Sequence, residues 1–408
     1  MQMINALKEI VGIPSVTGTP EAKEALEKML SICDDLGFKT KNIDGRVGYA
    51  EIGDGKEMIG ILCHLDVVPA GKDWDYEPFS LTEADGKYYG RGIIDDKGPA
   101  VLAVFAMKDI LESRRTIDKR IRIIFGTMEE KGDWKDLEYY KQVEELPTYG
   151  FTPDADFPAI YGEKGIVHAK LSTQLEGTGF KTIEGGEAVN MVSPWVNAEL
   201  MDGRTFSETG VASHGSLPEK GVNAITKLME KLEKENVPFA KTYMDVIGYS
   251  INGEKEGVDF ADDISGGTTF NVGRIYVDGD NLVMEIDIRH PVTVKKETVI
   301  PALEKTMNGA GLKVEVFSTQ APIYMDRNGE VITKLLDAYR KVTGEKDAEA
   351  VLIGGATYAR SMDNIVAFGP AFPNSEYPAH QKNEHVGIKE FDMAREIYKL
   401  AINNLLDM

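Results

Sequence analysis

Two short, nearly continuous apolar runs with a helical pattern between them constrain the fold more than any other feature of this sequence. Residues 58–63 and 121–126 contain one charged side chain, Arg122, and residues 98–111 between them have helical periodicity. Apolar runs of this length are typical of strands that are buried on both faces. The pattern therefore predicts an α/β fold with a mostly parallel sheet flanked by helices.

The middle of the chain has a different pattern. Strand-like alternation at residues 282–289 and helical patterns at 219–235 and 296–307 predict an α+β unit. The last ninety residues return to a helix, a strand and a helix, at residues 329–343, 365–368 and 388–406. We therefore predict one domain formed by residues 1–164 and 319–408, with an inserted α+β domain at residues 165–318.

Composition restricts the partners and the compartment. With 408 residues the chain is long enough for about two domains, and its net charge of −21 disfavours nucleic acid and anionic membrane surfaces. Residues 1–16 have an amphipathic helical pattern without the features of a secretory signal, and no apolar run approaches a membrane span. The two cysteines, Cys33 and Cys63, cannot form a disulfide framework, so we expect a cytoplasmic protein.

Metal-ligand side chains recur next to the predicted strands and helix starts. In an open α/β sheet the loops at the carboxyl ends of the strands meet at one edge, so side chains in these loops are expected to lie close together. Imidazole and carboxylate groups are ordinary ligands for zinc, manganese or cobalt. The candidates are His64, Asp95, the adjacent Glu129 and Glu130, Asp154 and His380.

The spacing of these residues suggests a division of labour. His64 and Asp66 are two apart on an extended segment, so Asp66 can accept the second ring N–H of His64. Adjacent glutamates cannot easily reach the same atom, so one of Glu129 and Glu130 can bind metal while the other acts as a base. Two neighbouring dications need a shared anion, which a carboxylate such as that of Asp95 can supply.

Several motifs carry a resemblance to a known family over nearly the whole length. The chain resembles the di-zinc exopeptidases and deacylases that include carboxypeptidase G, aminoacylase and carnosinase, and it is most similar to the PepV-type bacterial dipeptidase branch. The motifs are His64-Leu65-Asp66, Gly90-Arg91-Gly92 with Asp95-Asp96-Lys97-Gly98-Pro99, Gly126-Thr127 with Glu129-Glu130, Gly162 to Gly165, and Ala379-His380 with Asn383-Glu384-His385. Those of the PepV-type branch are Asn190-Met191-Val192, His214 with Pro218-Glu219, and Gly355 to Arg360.

The resemblance implies that residues 1–164 and 319–408 form a metal-binding catalytic domain and that residues 165–318 form an inserted lid domain. It also implies a role for each candidate residue. His64 and Asp154 would hold one of two divalent metal ions, Glu130 and His380 would hold the other, and Asp95 would bridge them. Glu129 would be the general base toward a metal-bridging water, and Asp66 would orient His64.

In the lid, His214 would hydrogen-bond the oxyanion, and Asn190 and Arg289 would bind substrate, with Arg289 on its free carboxylate. The alternative interpretations are a helix-capping loop histidine for His214 and an exposed strand-end arginine for Arg289.

One position bears on the substrate. In this family an aspartate at the Asp154 position accompanies aminopeptidases and dipeptidases, although Asp156 is close enough to be the ligand instead. We therefore predict a dipeptidase acting on small peptides, with an N-acyl amino acid deacylase as the alternative. The segment between Asn190 and His214 is shorter than in the PepV-type branch, so the chain is expected to be either a monomer or a homodimer that pairs through the lid.

Overall fold

A computed structural model describes residues 2–113, 117–132 and 134–408, and the chain forms two compact units. Unit 1 contains residues 1–161, 325–351 and 357–408, and unit 2 contains residues 162–324 and 352–356. The helices are α1 (Gln2–Val11), α2 (Pro20–Asp35), α3 (Lys97–Glu112), α4 (Lys135–Val143), α5 (Ala224–Lys234), α6 (Pro238–Val246), α7 (Lys296–Gly309), α8 (Glu330–Thr343) and α9 (Ile388–Leu406). Short 3₁₀ helices lie at Glu129–Lys131, Pro218–Lys220 and Tyr358–Ser361.

The strands vary widely in length, and the longest ones belong to unit 2. They are β1 (Lys39–Ile43), β2 (Val47–Ile52), β3 (Met58–His64), β4 (Thr82–Ala84), β5 (Lys87–Tyr89), β6 (Arg120–Gly126), β7 (Tyr149–Thr152), β8 (Ala155–Asp156), β9 (Ile160–Glu163), β10 (Gly165–Gln174), β11 (Phe180–Gly185), β12 (Trp195–Leu200), β13 (Thr205–Thr209), β14 (Ala261–Asp262), β15 (Gly266–Gly267), β16 (Thr269–Asp278), β17 (Asn281–His290), β18 (Lys313–Gln320), β19 (Ile323–Tyr324), β20 (Val351–Ile353), β21 (Ile365–Ala367), β22 (Pro370–Ala371) and β23 (His385–Gly387).

Unit 1 is built on a six-stranded sheet in the order β1-β2-β6-β3-β7-β21. The pairs β3–β6, β3–β7 and β7–β21 are parallel, and an antiparallel hairpin, β1–β2, extends one side. Every residue of β3 is buried, as expected for a central strand, and α3 packs against β3, β6 and α9. The predicted α/β fold with a mostly parallel sheet is confirmed, and its parallel strands end at a common edge.

Unit 2 is an antiparallel sheet covered by helices. Its seven strands run in the order β13-β12-β11-β16-β17-β10-β18. Apolar side chains from one face of the sheet pack with those of α5, α6 and α7 in a single buried cluster. This is the α+β architecture that the alternation in the middle of the sequence predicts.

Two details of the middle segment differ from expectation. The helix predicted at residues 219–235 is α5, which begins only at Ala224, because Gly221 is extended and the side chain of Asn223 caps the helix by accepting from the amides of Ile225 and Thr226. Strand β17 is buried on both faces from its second residue onward. Its polar face is covered because Glu285 pairs with Arg274 at 3.2 Å and Asp287 pairs with Arg289 at 2.8 Å.

Among the described residues, no helix is both long enough and apolar enough to cross a bilayer.

Candidate metal centre

The predicted ligands of unit 1 converge at the carboxyl edge of its parallel strands. His64 is the last residue of β3 and pairs with Gly126, the last residue of β6, so the turn with Glu129 and Glu130 begins beside it. Asp154 follows the neighbouring strand β7, and Asp95 lies just before α3. His380 comes from the loop between β22 and β23.

The carboxylate of Asp95 lies between two imidazoles. Its Oδ1 is 3.0 Å from Nε2 of His64, and its Oδ2 is 2.9 Å from Nε2 of His380. The same Nε2 of His380 is 2.9 Å from Oε2 of Glu130, and Nε2 of His64 is 3.7 Å from Oδ2 of Asp154. Each oxygen of Asp95 therefore faces one histidine, and each histidine faces one further carboxylate.

Asp66 contacts both the imidazole of His64 and the turn that carries the two glutamates. Nδ1 of His64 lies 2.9 Å from the backbone carbonyl oxygen of Asp66 and 3.4 Å from its carboxylate, so the carbonyl makes the shorter contact. The carboxylate accepts hydrogen bonds from the amides of Glu129 and Glu130 at 3.2 and 3.3 Å, and from the hydroxyl of Thr17 at 2.7 Å. Asp66 therefore orients the imidazole and also holds the turn that carries both glutamates.

The electrostatics of this cluster suit a cation. Burial and then the charge of Asp154 raise the pKa of Glu129 well above its usual value, and burial and Asp95 raise the pKa of Asp154 to about 7. Burial alone would lower the pKa of His380, but hydrogen bonds to Asp95 and Glu130 raise it to about 11. Carboxylates crowded against each other in a buried site, facing two imidazole nitrogens, are what divalent cations would stabilise.

Two groups of donor atoms lie close enough to hold ions. The ligand atoms of each group lie within 4.8 Å of one another: His64, Glu129 and Asp154 form one group, and His64, Asp95 and Glu130 form the other. The donor set of nitrogen and oxygen atoms fits zinc, manganese or cobalt. Glu129 thus lies within ligand distance of the first group, although the sequence-based prediction made it a base.

The two neighbouring aspartates are placed differently. The carboxylate of Asp154 is largely buried and belongs to the first group of donor atoms. Asp156 is exposed in β8. The geometry therefore favours Asp154 over Asp156 as a ligand.

The three predicted lid residues lie near each other in unit 2. The amide of Gly215 donates to the carbonyl oxygen of Asn190 at 2.7 Å, and a backbone bridge pairs Met191 with His214. A Cβ at Gly215 would lie 2.5 Å from a carboxylate oxygen of Asp287, which is the partner of Arg289. Only glycine fits between these groups, so the loop passes directly over the ion pair.

His214 is exposed, and its Nδ1 lies 2.6 Å from the hydroxyl of Ser216. Since Asn223 caps the following helix, the capping interpretation of His214 is not what the structure shows.

Arg289 is not the exposed strand-end arginine of the alternative interpretation. Its side chain is 3% exposed, and its Nε and Nη2 each lie 2.8 Å from a carboxylate oxygen of Asp287. Its Nη1 donates to the carbonyl oxygen of Gly354 at 2.9 Å. Burial would raise the pKa of Asp287, but Arg289 and His168 lower it to about 2. The guanidinium of Arg289 has five N–H groups, one on Nε and two on each terminal nitrogen. Among the described residues, each terminal nitrogen makes one hydrogen bond, so one N–H on each has no partner there.

Other polar residues at the site were missed because their partners are distant in sequence. Asp136 accepts from the amides of Thr127 and Met128 and from the hydroxyl of Tyr358. Glu384 forms a buried ion pair with Arg91 across 293 positions. For Arg91 and Glu384 the only sequence signal is a charged residue inside a motif, in Gly-Arg-Gly and Asn-Glu-His, and Asp136 lies in neither motif.

Comparison with known proteins decides the family. Residues 60–404 match the model of the Peptidase family M20/M25/M40. The chain belongs to this peptidase family. A Staphylococcus epidermidis protein named "Putative dipeptidase" is 35% identical over 456 aligned positions, which cover 98% of this chain and 96% of that protein. Because the alignment is longer than the 408 residues of this chain, the staphylococcal protein of the same family contains insertions relative to it.

Solved structures of the family share the fold. Human carnosine dipeptidase 1 has a TM-score of 0.67 at 15% identity, with 100% of this chain and 96% of that chain covered. A Bacillus subtilis protein, described as a dinuclear metal binding peptidase from the M20 family, has a TM-score of 0.57 at 11% identity, with 99% and 98% covered. The family resemblance, the fold class and the metallopeptidase class predicted from the sequence are confirmed.

Proposed function

We propose that this protein is a metal-dependent dipeptidase that hydrolyses the amide bond of small peptides. The observation that carries the proposal is the Asp95 carboxylate, whose two oxygens lie 3.0 and 2.9 Å from two imidazoles that each face another carboxylate. Such an arrangement provides one shared anion and separate ligands for two cations. The dipeptidase name of the staphylococcal relative, which is similar over nearly the full length, supports the substrate class.

His64 and Asp154 would hold one divalent ion, Glu130 and His380 the other, and Asp95 both, with zinc as the proposed metal. When bound, such a pair lowers the pKa of a water molecule and polarises the scissile carbonyl. The dinuclear centre described for the Bacillus subtilis relative supports this proposal.

Glu129 would then act as the general base. The turn that carries it is fixed by Asp66 and by Trp134, whose Nε1 donates to the carbonyl oxygen of Glu129 at 3.2 Å. Its carboxylate would accept a proton from the attacking water and return it to the leaving amine.

The lid residues would define the substrate. The two remaining N–H groups of Arg289 match the two oxygens of a carboxylate, and Asp287 holds the guanidinium plane in place. Asn190 would bind the peptide, and the exposed imidazole of His214 would donate to the oxyanion. A substrate with a free C-terminal carboxylate, such as a dipeptide, is therefore favoured.

The test compares two substrate panels on protein reconstituted with zinc, manganese or cobalt. We expect turnover of free dipeptides that a chelator abolishes, and much weaker turnover of N-acetyl and N-succinyl amino acids. Activity confined to the acylated panel would make the protein a deacylase. A reconstituted protein that binds two metals and hydrolyses neither panel would contradict the proposal.

We also propose a cytoplasmic location, which two buried thiols at Cys33 and Cys63 support. Fractionation of the native host, with the protein followed by antibody, tests the location. Recovery from a secreted or periplasmic fraction would contradict it.

A further inference from the structure

The loop that carries His380 is fixed by residues other than His380 itself. The His380 side chain is 54% exposed and its backbone has a φ of +65°, a left-handed conformation that non-glycine residues seldom adopt. Packing around the imidazole therefore contributes little to its position. Nε2 of His380 nevertheless lies 2.9 Å from Asp95. Contacts made by other residues of the loop must therefore hold this segment in place.

Glu384, in the same loop, grips the segment that leads to Asp95. Its backbone carbonyl oxygen accepts from the amide of Gly90 at 3.1 Å, and its Oε1 accepts from the amide of Ile94 at 3.0 Å. Its Oε2 is 2.6 Å from Nη1 of Arg91. All three of its oxygens that can accept are thus directed at residues 90–94, immediately before Asp95.

Arg91 extends this connection to a third loop. Its backbone amide donates to the carbonyl oxygen of Pro78 at 2.7 Å, and its guanidinium carbon lies 5.2 Å from the centre of the Trp74 ring. Its Nη2 makes long contacts of 3.5 and 3.4 Å with the carbonyl oxygens of Pro69 and Ala70, in the segment that follows His64. Arg91, which lies in the same loop as Asp95, therefore contacts the segment that follows His64 and the loop that carries His380.

Because both members are buried, breaking the ion pair between Arg91 and Glu384 should strongly destabilise the protein. Arg91 is 1% exposed and Glu384 is 0% exposed. Removing one member of a buried pair leaves an uncompensated charge, and stability alone could be obtained with apolar side chains of similar size. A role in fixing the geometry of the ligand loops would explain why a charged pair is buried between them.

We infer that Arg91 and Glu384 are positioning residues that fix His380 and Asp95 relative to each other and thereby set the affinity of the ion held by His380. The inference rests on the metal centre of the proposed function. Residues that orient metal ligands typically change metal affinity by roughly 10- to 100-fold. We expect an effect of that size at one of the two metal positions.

The experiment is a metal titration by calorimetry, without substrate, on the full chain freed of metal. The first variant, Glu384→Gln, can still accept from Ile94 but loses the charge that pairs with Arg91. We expect two binding events in the wild type and, in Glu384→Gln, roughly 10- to 100-fold weaker affinity in one event only. Turnover should fall at low metal concentration and recover when zinc is raised.

A matched control lies in the same loop. Glu376 is exposed and lies 2.8 Å from Lys87 and 2.9 Å from His385, neither of which is a proposed ligand. Glu376→Gln should leave both binding events unchanged. An equal loss in Glu376→Gln would show that any change of charge in this loop acts alike, which would overturn the inference.

A double variant separates positioning from charge balance. Arg91→Gln combined with Glu384→Gln leaves no unpaired charge, so it keeps the test valid if Glu384→Gln alone does not fold. Positioning predicts that this folded variant still binds one metal weakly. Wild-type affinity for both metals in the double variant would overturn the inference alone, whereas a wild type without metal binding would overturn the proposed function as well.

Discussion

At the scale of single residues, the adjacent glutamates of the turn after β6 are proposed to have different roles, one as a metal ligand and one as a general base. Glu130 is 2.9 Å from His380, whereas Glu129 groups with His64 and Asp154. Both carboxylates belong to the candidate ligand cluster, so distance alone does not separate a ligand from a base. Their functional difference has to be measured.

Glu129→Gln should abolish turnover and leave the metal content at two ions per chain. The amide is nearly the same size but cannot accept a proton, and loss of a general base typically costs about 10²- to 10⁴-fold in rate. Elemental analysis together with dipeptide hydrolysis measures both properties. His380→Ala is the companion variant, since it should lower the metal content; a parallel fall in Glu129→Gln would make Glu129 a ligand.

Arg289→Lys tests the carboxylate site without leaving Asp287 unpaired. The lysine keeps the positive charge but cannot offer two parallel N–H groups. We expect kcat/KM for dipeptides to fall by about 10- to 100-fold, as expected when a hydrogen bond to a charged group worth about 1.5–3 kcal/mol is lost. The same dipeptides with amidated C-termini provide the comparison. An equal loss on the amidated series would mean that Arg289 does not bind the carboxylate.

At the scale of elements, the turn after β6 is held by the helix that follows it. Asp136, in the first turn of α4, accepts from the amides of Thr127 and Met128 at 2.6 and 3.0 Å and from the amide of Leu137 at 2.8 Å. The hydroxyl of Tyr358 adds a fourth hydrogen bond. A single carboxylate therefore joins the end of a strand, the start of a helix and a distant 3₁₀ helix.

Asp136→Asn should destabilise the protein by about 1–3 kcal/mol, because an amide group cannot accept all of these hydrogen bonds and its NH₂ would face donors. Denaturant unfolding at neutral pH measures the change. Glu138→Gln, an exposed position of the same helix, should be neutral. Equal stability of Asp136→Asn and the wild type would show that Asp136 does not hold the turn.

These elements also show how far sequence reasoning extends. Helix α9 begins and ends where its periodicity predicts, at Ile388 and Leu406, because that pattern is local. The start of α5 was misplaced, since the periodicity continues past Gly221 and only the backbone shows the interruption. The ligands could be predicted because they follow strands, but the partnership of Glu384 with Arg91 depends on tertiary contacts that no local pattern contains.

At the scale of the whole molecule, the buried carboxylates of the two units have different kinds of neighbours. In unit 1 the buried carboxylates face two imidazoles, and we expect cations to offset their repulsion. In unit 2, the carboxylate of Asp287 pairs with the guanidinium of Arg289 at 2.8 Å. Glu256 is the exception: it is buried, only Ser250 donates to its Oε2, and its Oε1 has no hydrogen-bond partner among the described residues.

The carboxyl group of Glu256 should make the free energy of unfolding depend on pH near neutrality. Burial raises the pKa of Glu256 to about 7, despite the hydrogen bond from Ser250 that lowers it. The folded protein then keeps a proton on Glu256 at pH values where the unfolded chain has released it, so the free energy of unfolding decreases as pH rises from about 4.5 to about 7. Above pH 7 the folded state contains a buried, poorly solvated charge.

Glu256→Gln should remove this dependence. The amide has nearly the same shape and never ionises, so the variant should match the wild type near pH 4.5 and exceed its unfolding free energy by about 3 kcal/mol at pH 8, because the pKa of about 7 in the folded state lies above the ordinary value of 4.5 and each unit corresponds to 1.36 kcal/mol. Thermal unfolding across this pH range, compared with the exposed Glu254→Gln as control, provides the measurement. If wild type and Glu256→Gln lose stability in parallel as pH rises, Glu256 is already ionised in the folded state, and the decrease must come from other groups.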